Sequence, residues 1–550
     1  MSVIIGAMFK KFVSSYIFLI ISGAIGAVFF LLLYSELLDT SYIEWTLWIG
    51  GDPFQHYIGW ELFRDSPWSF PLGNISHLVY PNGVPLTFTD SIPLFSFILK
   101  LFSTWLPFPF QFDGIWILSC FILQGIFGYL LTYQYLQKKS LSVIGSIFFI
   151  LSPIMLFRLG GHSALGAHWL ILWSLWLVLQ EGKTRIWQWT TILILTVLIH
   201  PYLLFICGAL FVADLVRRIM LLKVLSVQKG SLFFGIDVSL VLLLSWVVGV
   251  FSTGSGAAPG YGVFSLDLNS LINPYGWSTI IKNMNVREPN EGFAYAGLGV
   301  LILLGLSLYQ FVQDKKYTSI KEKLHQWWPL ISISGLLTIL AISNVVSVWG
   351  KEIVLFPLPD SIREGIMGIV RSSGRLFWPV YYLIVLASFF VIKKSRTYIA
   401  YGLMIGTVAV QVYDFKDKLL ELDNFYEAVV WQNPLVDPFW NHAAEEVKHI
   451  SFVPSYVPGT YEAIAFFAAE NDMTLNTGYV VRAAGLLNKD FMDAEVRSLE
   501  EGIVADNTLY IFLNEKTAYQ MTEKVDKSVY TVKIIDGYAI LAPVDLLIEK

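Results

Sequence analysis

The segment SIPLFSFILKLFSTWLP, residues 91–107, decides how the rest of the chain is threaded. It is apolar enough to read as a membrane crossing. Counted as one, it would move Lys138-Lys139 and every later basic cluster to the opposite side. Read instead as a helix lying at, or dipping into, the outer interface, with the Lys100 ammonium snorkelling to water, it leaves all of them on one side. Those clusters are Lys10-Lys11, Lys138-Lys139, Lys183 with Arg185, Arg217-Arg218, Lys315-Lys316 with Lys321 and Lys323, and Lys393-Lys394 with Arg396. Positive charge in the loops of one side marks that side as cytoplasmic.

Composition sets the class. Of 550 residues, 55% are hydrophobic and 14% charged, where a soluble domain carries about 25% charged residues. Several runs approach or exceed the ~17–20 apolar residues that a crossing needs. Lipid cannot satisfy free backbone groups, so the runs must be helical. The expectation is an α-helical polytopic membrane protein with spans near 16–36, 113–136, 140–157, 168–181, 186–200, 202–217, 232–251, 294–312, 327–346, 376–393 and 397–414, eleven in all. Several are shorter than a full crossing. The first follows Lys10-Lys11, exceeds a signal-peptide core in length, and reads as a retained anchor. An N-terminus inside then puts the C-terminus outside. Cys120 and Cys207 both fall in apolar runs and predict no disulfide. The net charge of −5, with no basic face and no aromatic-basic ladder, gives no sign of nucleic-acid binding.

On this threading the membrane domain covers 1–414, and the outer side carries a long first loop (37–112), a short loop LGGHSALGAHW (159–169), and loops over 252–293 and about 347–375. Residues 415–550 lose the apolar character. There, strand-like runs (HISFVPS, TLNTGYVVR, TLYIFL, and YTVKIIDGYAILAP as a hairpin) alternate with helical segments, which predicts a small soluble α/β domain outside. It contains no glycine-rich nucleotide fingerprint.

The outer loops hold the chemistry. In GGDPFQHYIGWELFRDSPW (50–68), Asp52 and His56 are four apart and share one face of a helix. Asp52 before Pro53 suits an N-cap; it equally suits a general base at the membrane surface. Glu61, Arg64 and Asp65 read as the solvated face of that helix. Asp90, in TFTDSIPL, is either a cap or the partner of Asp52 in an acid/base or metal-binding pair, and carboxylates suit Mg²⁺ or Mn²⁺. His162, His168 and His200 are on the same side; a His/Asp metal centre is one reading, though no HExxH or comparable spacing supports it, and a hydrogen-bonded structural role for each is the other. Arg371 and Arg375, four apart in IVRSSGRLFW, sit where the positive-inside bias does not explain them. Arginine forks match phosphate oxygens, and a loop carboxylate is the other available partner. Arg158 is a similar case. The loop at 252–293, rich in Gly, Ser, Asn and aromatics, suits either sugar stacking or a flexible connection.

Taken together, GGDPFQHYIGWELFRDSPWSFPLG, TDSIPL, GGHSALGAHW, SSGRLFW and NTGYVVRA resemble a group of uncharacterised bacterial multi-spanning membrane proteins related to the GT-C class of integral-membrane glycosyltransferases. The resemblance implies a polyprenyl-phosphate-sugar donor, inversion at the sugar, and an early-loop carboxylate that deprotonates the acceptor. Carried onto this chain, it makes Asp52 the base, Asp90 its partner or a metal ligand, Arg371 and Arg375 phosphate clamps with Arg158 a lesser one, and His56, His162 and His200 substrate contacts. The adjacent acidic pair usual in that class is absent, since Pro53 follows Asp52. The expected setting is the bacterial cytoplasmic (inner) membrane, with an envelope glycan, lipid or protein as acceptor. A transporter or flippase of lipid-linked saccharide, and a non-catalytic envelope scaffold, are the alternatives.

Overall fold

A Cβ on Gly26 would lie 2.7 Å from the carbonyl carbon of Phe121, and one on Gly125 would lie 3.0 Å from that of Ser22. The helices Ser2–Leu33 and Asp113–Leu136 therefore meet backbone to backbone, which only small residues allow. The computed structural model describes residues 2–182, 185–252, 259–286, 291–314, 317–427, 429–455, 461–480 and 489–547. Lys183, Lys315, Lys316, parts of the loop at 252–293 and the end of NTGYVVRA lie outside the described residues. The chain forms two compact units: residues 1–38, 113–242 and 257–428 make the first, and residues 39–112, 243–256 and 429–550 the second.

The protein is mostly helical. Among the described residues, five helices are long and apolar enough to cross a membrane: Tyr16–Leu33, Asp113–Leu136, Val227–Val247, Glu322–Ile342 and Ser373–Lys394. A sixth forms if Lys139–Ile150 and Pro153–Leu159, bent by 46° at their break, count as one. Eleven crossings are not what the helix lengths give. Pro153 and Pro201 interrupt two of the apolar runs, because proline removes a helical hydrogen bond and displaces the preceding turn. Trp169–Leu179 has 11 residues, Ile186–Ile199 14 and Leu298–Gln313 16. At ~1.5 Å per residue these fall short of a ~30 Å hydrocarbon core. Thr397–Asp414 is 18 residues long but ends in polar partners, with Gln411 donating to the Ala296 carbonyl at 3.1 Å and Asp414 accepting from Tyr295 Oη at 2.8 Å.

The first unit buries one of its basic clusters. Arg218 makes a two-point contact with Asp214 at 2.8 and 2.9 Å and donates to the Gly182 and Leu177 carbonyls, while Trp189 Nε1 donates to Asp214 at 2.8 Å. Arg217 donates to the Val178 and Gln180 carbonyls and lies 3.9 Å from the Trp327 ring centre. The pair read as a loop charge in the sequence is thus a packed structural clamp.

The second unit is built on a five-stranded mixed sheet. Its strands are β1 (His449–Val453), β2 (Thr474–Leu475), β3 (Thr508–Phe512), β4 (Tyr530–Ile535) and β5 (Tyr538–Pro543), in the spatial order β2-β1-β3-β5-β4. β1 runs parallel to β2 and β3, and β5 is antiparallel to β3 and β4. Asp536-Gly537, both with positive φ, turns the β4–β5 hairpin as that dipeptide predicts. The early segment completes the sheet. Tyr80 N donates to the Leu475 carbonyl and Leu475 N to that of His77, each at 2.8 Å, so residues 77–80 run parallel beside β2. His77 also pairs with Asp472 at 3.0 Å. The Gly51–Asp65 helix packs on Tyr461–Glu470, with Phe54 edge-on to Tyr461 at 6.1 Å.

Lys100 does not snorkel. The helix that carries it is only Pro93–Lys100, and its ammonium is buried, donating at 2.5 Å to the Phe63 and Ser66 carbonyls over the Phe63 ring. It neutralises the C-terminal end of the Gly51–Asp65 helix, where exposed carbonyls attract a cation. Burial pushes its pKa down to about 8.

Candidate functional site

In the first unit, two prolines and a close glycine contact assemble a charged cluster. Pro153 opens the Pro153–Leu159 helix after the bend, and Arg158 is buried near its end. The loop that follows is held to the Asp113–Leu136 helix: Ser163 Oγ donates to Asp113 at 2.8 Å, and Trp116 Nε1 donates to the Ser163 carbonyl at 2.7 Å. This places His162. His200 caps the Pro201–Val216 helix, its Nδ1 accepting from Tyr202 N at 3.1 Å. Tyr202 Oη then accepts from Ser372 N at 2.7 Å, tethering the SSGRLFW segment. Gly374 faces Gly292 so closely that a Cβ on it would stand 2.5 Å from the Gly292 Cα. That approach sets Arg375 beside Glu291.

Glu291 is the centre of the cluster. Its Oε2 accepts from Arg375 Nε at 3.2 Å and Nη2 at 3.1 Å, and lies 2.8 Å from Arg158 Nη1. Arg158 Nη2 also donates to the Glu291 carbonyl at 2.9 Å. The two guanidinium groups lie against rings, Arg375 4.9 Å from the centre of Tyr202 and Arg158 4.9 Å from that of Phe157. Burial raises the Glu291 pKa, but the charges of Arg375, Arg158 and His162 outweigh it and hold the carboxyl down at about 2. The cluster is a buried ion-pair network in which two guanidinium groups share one carboxylate.

Arg371 and Arg375 do not act as one fork. Residues 373–377 form a 3₁₀ turn, and Arg371 goes instead to the Phe264 ring, 5.7 Å from its centre. His168 is fully buried, with Nδ1 2.8 Å from Tyr382 Oη and its ring 4.3 Å from that of Trp378, a packed structural histidine.

The two acidic candidates belong to the second unit. The Gly51–Asp65 helix starts one residue ahead of Asp52; Gly50, with φ 65°, takes the cap position, and Asp52 sits in the first turn. Asp52 is therefore not the N-cap, although its charge still favours the helix N-terminus. His56 is buried on the same helix, its ring 5.8 Å from Phe112. Two hydrogen bonds tie the segment carrying Asp90 to that helix, Gln55 Nε2 to the Phe88 carbonyl at 2.6 Å and Ser91 Oγ to the His56 carbonyl at 2.7 Å. Asp90 itself has φ 56°, a conformation that Asp tolerates.

Glu61 and Arg64 are not solvated. Glu61 is fully buried, accepting from Phe110 N at 2.6 Å and from Arg64 at 3.2 Å, and Arg64 also donates to the carbonyls of Ser103, Leu106 and Pro107. Burial, only partly offset by Arg64, pushes the Glu61 pKa up to about 7.

The sequence reading missed Glu291, Tyr202 and Asp113. The available signal was charge balance, since two arginines near apolar helix ends need a carboxylate, and Glu291 lies in a loop directly before an apolar run. Among the described residues, no group of three His, Cys, Asp or Glu side chains could hold a metal ion.

The chain matches the model of a domain of unknown function, DUF6311, over residues 23–416, and that of the DUF6311 C-terminal domain over residues 439–543. No curated protein matches it. With the first match alone spanning well over half of its length, the chain belongs to the DUF6311 family.

Proposed function

We propose that this protein is an integral-membrane glycosyltransferase, moving a sugar from a polyprenyl-phosphate donor to an envelope acceptor on the outer face of the bacterial cytoplasmic membrane. The observation that carries the reading is the two-arginine grip on Glu291, built at the ends of apolar helices. A lipid-borne phosphate has its charge at that kind of boundary, and guanidinium forks match its oxygens. A donor phosphate would take the place of the Glu291 carboxylate between Arg158 and Arg375, with His162 adding positive charge. His200 acts through Tyr202 as a positioning residue.

In the transfer step the acceptor hydroxyl oxygen bonds to the anomeric carbon. The bond from that carbon to the phosphate oxygen breaks, and its electron pair leaves with the phosphate. The resemblance gives Asp52 the role of taking the hydroxyl proton, with Asp90 as its acidic partner and His56 as a substrate contact. Charge stabilisation by the arginines and positioning of the hydroxyl supply the rate. Mg²⁺ or Mn²⁺ was expected from the acidic pair; the described residues do not form a three-ligand site, and no step is assigned to a metal.

A second reading has its own observation. The 46° break between Lys139–Ile150 and Pro153–Leu159 puts Arg158 on a discontinuous helix, an arrangement that transporters use at their substrate sites. On that reading the same arginines hold the phosphate of a lipid-linked saccharide during its passage.

The deciding experiment incubates purified full-length protein in proteoliposomes with labelled polyprenyl-phosphate sugars and an envelope extract as acceptor source. Transfer of label, abolished in Asp52→Asn and in Arg375→Ala, is the expected result. Label that crosses between leaflets with its sugar–phosphate bond intact would favour the transporter. Wild-type transfer by Asp52→Asn would remove Asp52 from the mechanism.

A further inference from the structure

The second unit contains a pocket of about 360 Å³ on the sheet face covered by the Lys489–Glu500 helix. Its size falls within the ~300–1,000 Å³ of small-molecule sites. Two aromatic rings meet at a corner: Tyr80 and Phe491 are 6.0 Å apart and 80° from coplanar. Tyr80 also covers the His449 ring at 4.8 Å. Tyr80 is fixed from below, because its backbone N–H is paired to the Leu475 carbonyl.

The polar side of the pocket is held by internal hydrogen bonds. Glu495 accepts from Ser451 Oγ at 2.9 Å and from Asn476 Nδ2 at 3.3 Å. Asn476 is itself locked, accepting from Phe452 N at 3.0 Å and donating to the Phe452 carbonyl at 3.1 Å. His449 Nδ1 is 2.6 Å from Thr474 Oγ1. Among the described residues, the pocket lining contains two carboxylates, Glu495 and Asp506, and no lysine or arginine. It therefore disfavours phosphates and nucleotides, which need cationic partners. Aromatic faces suit the C–H face of a sugar ring, and a fixed carboxylate with amide and hydroxyl neighbours suits its hydroxyls.

From this geometry we infer that the pocket bounded by Tyr80, Phe491, His449 and Glu495 binds a short, uncharged or amino-substituted saccharide. The site requires both the early segment, which supplies Tyr80, and the C-terminal strands. Binding here needs no donor and no transfer, so the inference stands or falls separately from the transferase reading.

The test uses full-length protein in nanodiscs, free of sugar-based detergent. Saturation-transfer NMR and isothermal titration are run with glucose, galactose, mannose, N-acetylglucosamine, N-acetylgalactosamine and glucosamine, with choline and inorganic phosphate as contrasts. At least one of these sugars should bind, and its affinity should fall about ten-fold or more in Tyr80→Ala and in Phe491→Ala. Glu495→Gln should weaken it in the same direction, most strongly for glucosamine. Circular dichroism and thermal midpoints check that each variant is folded; Phe491, on the covering helix, keeps the test alive if Tyr80→Ala unfolds. Absence of sugar binding, sugar binding that survives in both aromatic variants, or binding of choline alone would overturn the inference.

Discussion

Arg375 and Glu291 are joined by two hydrogen bonds to a single carboxylate oxygen, at 3.1 and 3.2 Å, while Arg158 reaches the same oxygen from the opposite helix end at 2.8 Å. One carboxylate oxygen is thus shared by two buried guanidinium groups.

Glu291→Gln should expose this balance. Without its counter-charge the arginine pair repels itself, and thermal unfolding of the detergent-solubilised protein should begin several degrees lower, a loss on the order of 3 kcal/mol. Adding a polyprenyl phosphate should recover most of the loss and should shift the variant more than the wild type. Equal shifts in both proteins would show that the lipid phosphate does not use this site.

Acid should undo the same contact. The Glu291 pKa is depressed in the folded state to about 2, from an ordinary value near 4.5. Its contribution is fully present above about pH 4.5 and is lost as pH falls toward 2. A plot of melting temperature against pH should slope down across that window in the wild type. In Glu291→Gln this component of the slope should be absent.

Glu61 predicts the opposite sign. Its folded pKa of about 7 lies above the ordinary value, so the stability it contributes is present below about pH 4.5 and is lost as pH rises through 7. Glu61→Gln keeps an acceptor for Phe110 N and removes the buried charge. Its melting temperature should be flatter than that of the wild type between pH 4.5 and 7, and an unchanged slope would assign the pH dependence to another group.

Gly374→Val tests how Arg375 is placed. The added side chain meets the Gly292 backbone, which cannot yield as a flexible side chain would. The expected outcome is a destabilisation of about 1–3 kcal/mol together with weaker phosphate binding. Ser373→Val, one position away, should leave phosphate affinity within two-fold of wild type, read by titration of the same lipid phosphate.

Much of the fold was legible because its signals are local. The apolar runs gave the helices, His200-Pro201 marked one junction between them, and YTVKIIDGYAILAP gave the terminal hairpin, whereas the break at Pro153 fell inside a single expected span. The number of crossings was not legible, because hydropathy records apolar composition and not how a proline divides a run. Lys100 was misread for a different reason. Its partners are backbone carbonyls 34 and 37 positions away, which no sequence window contains. Arg158 and Arg375 stood out as misplaced cations, but Glu291 lies 133 positions from one and 84 from the other, and only folding brings them together. Arg371 looked like a partner of Arg375 because a spacing of four is meaningful on an α-helix; the 3₁₀ turn that follows it sends the two side chains apart.

The pairing of residues 77–80 with β2 has a consequence for biosynthesis. Within the same unit the Gly51 amide meets Glu462 across 411 positions of chain. A ribosome adding roughly 5–20 residues per second therefore leaves the early segment waiting on the order of half a minute for its partner strands. During that interval its strand-forming edge is open to other chains. Nascent protein stalled before residue 474 should consequently be sticky and protease-sensitive, and synthesis of the remaining residues should switch it to a protected form.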